Sequence, residues 1–98
     1  MFKSREEVER IRKLYPVGTQ IVLEYMDDFQ APPRGTVGEV TSVDDAGQIH
    51  WTGSGLALVP GEDRFYRIDK MGWRIDENGN RIDWNEGIWR NRGVVQVY

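Results

Sequence analysis

The stretch from Gly35 to Val59 leaves this chain few ways to fold. It reads Gly-Thr-Val-Gly-Glu-Val-Thr-Ser-Val, then Asp-Asp-Ala-Gly, then Gln-Ile-His-Trp-Thr, then Gly-Ser-Gly, then Leu-Ala-Leu-Val. β-Branched and aromatic residues fill the runs, and Asp, Ser and Gly fill the gaps. The first group suits a pleated, half-buried surface, and the second supplies tight turns. The pattern predicts three strands, Thr36 to Val43, Gln48 to Thr52 and Leu56 to Val59, joined by two short turns. In the middle strand, Ile49 and Trp51 fall on one face, toward a core, and His50 on the other.

The flanking sequence adds to this sheet. Gln20 to Met26 reads as a preceding strand, with Ile21, Leu23 and Tyr25 on one face and Val22, Glu24 and Met26 on the other. Asp27 to Arg34 contains Pro32-Pro33, which cannot lie inside a central strand, so it is a loop. After Val59, Pro60-Gly61-Glu62-Asp63 predicts one helical turn, and Phe65, Tyr66 and Ile68 a fifth short strand. At the other end, Ser4 and Glu7 have the spacing of a capping box. Val8, Ile11, Leu14 and Tyr15 recur at helical spacing before Pro16 ends the run. A helix over about residues 5–14 is expected, its apolar stripe laid on the sheet as a lid.

The tail carries a local signal of its own. Asn78-Gly79 favours a two-residue type I′ hairpin turn. With that pair at the tip, Asp76 faces Arg81, Ile75 faces Ile82, Arg74 faces Asp83 and Trp73 faces Trp84. One face of the hairpin then carries Trp73, Ile75, Ile82 and Trp84, and is expected to be buried against the barrel or a second copy. Gly87 leads to Ile88-Trp89, and Gly93 to a last strand, Val94 to Tyr98. Five short strands, the fifth after one helical turn, predict a mainly β chain: a small SH3-like barrel with an N-terminal α-helix and an appended C-terminal β-hairpin. The expected organisation is a single domain, with the helix in 1–15, the barrel in 16–68 and the hairpin and last strand in 69–98.

Charge narrows the function classes. The net charge of −3 over 98 residues is unevenly spread. Residues 1–15 hold five basic and three acidic side chains, and residues 66–98 hold six basic and five acidic. Between them, Arg34 and Arg64 stand against eight acids. An acidic body repels phosphate and attracts basic protein. With no cysteine there is no disulfide or thiolate metal site, which fits a cytoplasmic protein. No apolar run reaches membrane-spanning length, and Met-Phe-Lys-Ser-Arg-Glu-Glu lacks the apolar core of a secretion signal. His50, the one histidine, has no nucleophile or metal-ligand motif around it and reads as a solvated strand residue. Asp27-Asp28 and Asp44-Asp45 fit turns better than a cation site, since the full calcium-loop pattern is absent. No phosphate-loop, nucleophile-elbow or zinc-protease motif occurs.

Several blocks in order carry a family resemblance: Met26-Asp27-Asp28, Gln30-Ala31-Pro32-Pro33, Gly35-Thr36, Val43 to His50, Leu56-Ala57-Leu58 and Pro60 to Phe65. Over about residues 15–68 the chain resembles a family known only as a domain of unknown function, common in phages and mobile elements of Gram-positive bacteria. The resemblance implies a compact β-barrel and a mobile-element context, and brings no catalytic residue. Where the family has an acidic or amide-rich turn after the tryptophan, this chain has Thr52-Gly53-Ser54-Gly55.

The expected function is therefore a non-enzymatic protein-binding module of a phage or mobile element. An anti-defence protein that inhibits a host immune component, or sequesters one such as a signalling nucleotide, is one form of it. The expected surface joins Tyr25, Asp27, Asp28, Phe29 and Pro33 to Trp73, Trp84 and Trp89. The alternative is a nucleic-acid-binding barrel, with Arg74, Arg81, Arg90 and Arg92 beside the tail tryptophans as a basic-aromatic strip. No cofactor, metal or membrane partner is expected. A homodimer is the expectation if the tail face is used for self-association.

Overall fold

A computed structural model describes residues 3–82 of the chain. Helix α1 spans Arg5–Leu14. The strands are β1 Gln20–Tyr25, β2 Val37–Val43, β3 Ile49–Trp51, β4 Ser54–Leu58, β5 Arg64–Ile68 and β6 Arg74–Ile75. Helix α1 starts as its sequence dictates. The Ser4 hydroxyl accepts from the Glu7 N–H at 3.1 Å, and a Glu7 carboxylate oxygen accepts from the Ser4 N–H at 3.1 Å. Two otherwise unpaired donors of the first turn are thereby satisfied. The helix ends at Tyr15, whose N–H reaches the Ile11 carbonyl before Pro16 stops the ladder.

The strands form one antiparallel sheet in the order β4-β3-β2-β1-β5-β6. Strand β1 is central, with Ile21 opposite Gly38 on β2 and Arg67 on β5. The mainly β class with an N-terminal helix is the one expected. The barrel, however, is not closed: β4 and β6 are the outer strands, and they do not pair with each other among the described residues. Strand β6, only two residues long, offers too short a ladder to close the sheet.

The inward residues of β1 to β4 converge on one core of Ile21, Leu23, Val40, Ile49, Trp51 and Leu58, joined by Ile11 from α1. Trp51 is 5% exposed, and its indole N–H donates to the Leu56 carbonyl at 3.0 Å, so its one polar atom is satisfied. Its ring lies flat against backbone at Gly38 and Gly53. A Cβ on Gly38 would stand 2.6 Å from Trp51 Cε3 and 2.5 Å from Gly53 N. The glycine thus makes room for the tryptophan. Helix α1 acts as the expected lid, with Val8 and Ile11 packing over Gly47 in the β2–β3 turn.

Two expectations are corrected. The first concerns alternation along β1. Leu23 faces Phe65 and Tyr25 faces Arg64, so Glu24 is an extra residue, a β-bulge. The bulge reverses parity, turning Tyr25 outward and letting Met26 pack against the core.

The second concerns the tail turn. Asn78-Gly79 does not form a two-residue turn. Asp76 N–H donates to Asn80 C=O at 2.8 Å, and Gly79 N–H donates to Asp76 C=O at 3.0 Å. With Gly79 at φ 84°, this is a three-residue loop closed by a glycine bulge. The Asp76 carboxylate selects it by accepting from the N–H groups of Asn78 at 2.9 Å and Asn80 at 3.0 Å. Ile75 therefore opposes Arg81 instead of Ile82. The same construction, Asp-x-x-Gly-x, closes the β2–β3 turn at Asp44 to Gln48 and the β5–β6 turn at Asp69 to Trp73. Trp73 consequently sits at the end of a turn, 43% exposed, and not on a buried hairpin face. Ile75 and Ile82 are half-buried. Asp83, Trp84, Trp89, Arg90, Arg92 and the expected last strand lie outside the described residues.

Candidate functional site

Five residues expected to bind a partner lie together at one end of β1. The β1–β2 loop is anchored at its base, where Gly35 N–H donates to Leu23 C=O at 2.7 Å and Leu23 N–H to Thr36 C=O at 2.9 Å. At its tip Ala31 N–H donates to Asp28 C=O at 2.9 Å, closing a turn around Phe29 and Gln30. The Asp28 carboxylate accepts from Gln30 N–H at 2.8 Å and fixes the corner. Pro32 and Pro33 limit the returning arm, whose Thr36 hydroxyl donates to Pro33 C=O at 2.6 Å. Phe29 is thus displayed on a hydrogen-bonded turn with 97% of its surface open. Tyr25, 55% exposed, and Val37 stand at the loop base, while Asp27, Asp28 and Pro33 are exposed along the loop.

The β4–β5 turn reaches the same end, because Tyr25 pairs with Arg64. Between loop and turn lies an open groove of about 950 Å³, lined by Glu24, Tyr25, Arg34, Gly61, Glu62, Asp63 and Arg64. Asp63 is occupied in holding the turn, its carboxylate accepting from Val59 N–H at 2.7 Å. Glu24, Asp27, Asp28 and Glu62 form no ion pair among the described residues. The end as a whole carries five acids against Arg34 and Arg64. Sequence reasoning found the loop but missed Glu24, Arg34, Glu62, Arg64 and Val37. Nothing local marks them, since the groove exists only through the β1–β5 pairing and the bulge.

Trp73 is at the opposite end of the sheet. Gln20 pairs with Ile68, and Ile68 with Arg74, which places the turn ending in Trp73 beyond the start of β1. At about 3.3 Å per strand residue, the length of β1 separates the two ends by roughly 15 Å. The structure therefore does not join Trp73 to the Tyr25 and Phe29 surface. The two described arginines of the basic strip are engaged locally. Arg81 Nε donates to Asp69 at 2.8 Å, and its guanidinium lies 5.4 Å from the Trp73 ring centroid. Arg74 lies over the Tyr66 ring at 4.5 Å.

His50 is not simply solvated. Its Nε2 lies 2.8 Å from Asp44 Oδ2. This contact holds the Asp44 carboxyl below its ordinary 3.8, against an opposing effect of burial and with help from the Gln48 and Ala46 N–H groups. The pair braces the β2–β3 turn. A second brace joins the helix to the tail. Arg67 donates to Leu14 C=O at 2.8 Å and to Asp76 C=O, its guanidinium lies 5.7 Å from the Tyr15 ring centroid, and Arg10 pairs with Glu77 at 2.8 Å. Among the described residues no group of three His, Cys, Asp or Glu side chains is placed to hold a metal ion, and no helix is long and apolar enough to cross a membrane.

Residues 4–68 match the model of a family described as a domain of unknown function (DUF4314). The match takes in α1 as well as β1 to β5, and stops before the Asp69 turn. No curated protein and no solved structure matches the chain.

Proposed function

The chain belongs to the family of domains of unknown function DUF4314, and from that premise we propose that it is a non-enzymatic protein-binding module that docks through the β1–β2 loop end. The observation that carries this reading is Phe29, almost wholly exposed on a turn whose backbone is hydrogen-bonded to hold it there. A single exposed apolar residue is ordinary. Here Tyr25 and Val37, both exposed, stand at the base of the same loop, whose backbone is held by its own hydrogen bonds. A loop backbone already held in its bound shape loses less conformational entropy on binding, and a large aromatic side chain is the common centre of an interface hot spot. The acids of this end, which have no ion-pair partner among the described residues, favour a basic protein and oppose nucleic acid. Inhibition or sequestration of a host immune component is the specific form suggested by the phage and mobile-element setting of the family it resembles.

The test is affinity capture from nuclease-treated lysate of the native host with the wild-type chain and a Tyr25→Ala/Phe29→Ala chain. A protein retained by the first and lost from the second supports the reading. Equal retention by both overturns it. A salt-sensitive mobility shift with DNA, abolished by Arg74→Ala/Arg81→Ala, would transfer the function to the basic strip.

A further inference from the structure

We infer that the partner of this loop is a folded protein with an apolar pocket rimmed by basic side chains, and that this chain supplies the inserted part. The inference rests on the reading of the β1–β2 loop end as the docking surface and assigns the chemistry of what it meets.

Shape comes first. Phe29 occupies the second position of the Asp28 to Ala31 turn, with 97% of its surface free. A side chain so placed is a knob. An extended peptide could lie across Tyr25 but would leave the Phe29 ring in water on most sides. Only a concavity in a partner encloses it, and a buried aromatic of this kind removes about 150–250 Å² from solvent. The rest of the contact then comes from the exposed loop base, Tyr25 and Val37.

Charge fixes the rim. Asp27 and Asp28 immediately precede the knob, and Glu24 and Glu62 line the groove between the β1–β2 loop and the β4–β5 turn. None of the four has an ion-pair partner among the described residues. Arg34 and Arg64 offset only part of this charge. Two copies meeting through this end would bring like net charge together, so a second copy is disfavoured. The same acids disfavour insertion of Phe29 into an anionic lipid surface. Lysine or arginine around an apolar pocket complements both features at once.

The probe is the full chain carrying the photo-crosslinking residue benzoylphenylalanine in place of Phe29, with a chain labelled at exposed Thr41 on β2 as control. Both are irradiated in lysate of the native host, and the crosslinked partner residue is located by mass spectrometry. The expected result is a position-29 adduct inside an apolar pocket flanked by lysine or arginine. Unlabelled wild type should suppress it, while unlabelled Phe29→Ala or Asp27→Lys/Glu62→Lys, which leaves the Asp28 turn bond in place, should need about tenfold more protein or greater to do so. An adduct on a flat, acidic or extended segment, on a second copy of this chain, or recovered only with lipid vesicles, overturns the inference. In the case of a flat, acidic or extended segment, the protein-binding reading survives. No adduct above the Thr41 control overturns the inference, and if the Tyr25→Ala/Phe29→Ala chain also loses no capture, the protein-binding reading falls with it.

Discussion

Asp44 and His50 meet across the β2–β3 turn, with His50 Nε2 2.8 Å from Asp44 Oδ2 while Asp44 Oδ1 accepts from Ala46 and Gln48 at 2.9 Å each. The carboxylate therefore closes the turn over which Val8 and Ile11 of α1 pack. Because its folded pKa lies below 3.8, the ionised form is the one that stabilises the fold. That contribution is complete above pH 3.8 and is lost as pH falls through the lower folded value. Asp44→Ala should cost roughly 1–2 kcal/mol at neutral pH for the lost turn bonds, discounted for the solvent access of this side chain. Denaturant titrations over a pH series in the acid range check this: the gap between wild type and variant narrows as pH falls below the ordinary carboxylate value and through the lower folded one. A gap unchanged to the lowest pH would contradict the assignment.

Glycines 38 and 55 make a contrasting pair. A Cβ at Gly38 would collide with Trp51 and with the Gly53 backbone, whereas at Gly55 it meets nothing within 4 Å. Gly38→Ala should destabilise by about 2 kcal/mol or more, because the tightly packed ring and the backbone behind it cannot both move. Gly55→Ala should change stability by less than about 1 kcal/mol. Thermal melts of the two variants side by side decide the matter.

Arg67 joins three segments, with its guanidinium donating to Leu14 C=O and Asp76 C=O and stacked near Tyr15. Arg67→Ala should raise amide exchange at Asp76 to Asn80 while leaving β1, β2 and β3 protected. Arg67→Lys should not rescue it, since an ammonium cannot serve two carbonyls with a planar fork. Uniform loss of protection across the sheet would show instead that Arg67 supports the core.

How much of this was legible depends on range. The capping box at Ser4 and Glu7 and the periodic stripe of α1 are written within a few residues, and they read correctly. So did the Pro-Pro loop. The tail turn misled because Asn78-Gly79 is a strong local signal, yet Asp76 outbid it with two carboxylate–backbone bonds. The repeated Asp-x-x-Gly-x at Asp44, Asp69 and Asp76 was the clue to that. Tyr25 was misplaced because alternation holds only between bulges, and no single residue announces the one at Glu24. The separation of Trp73 from Phe29 could not be read at all, since it follows from β5 pairing with β1 and β6 with β5. For the same reason the groove lined by Arg34, Glu62 and Arg64 had no trace in any short segment.

The loop end should be the surface that answers to a partner, and amide shift mapping tests this most directly. The isotopically labelled full chain is titrated with the protein recovered by wild-type capture. The account predicts perturbed amides within residues 24–37 and 61–64, with the Asp69 to Ile75 segment unchanged. Perturbation concentrated at Asp69 to Ile75 and Arg81, with Phe29 and its neighbours silent, would contradict it.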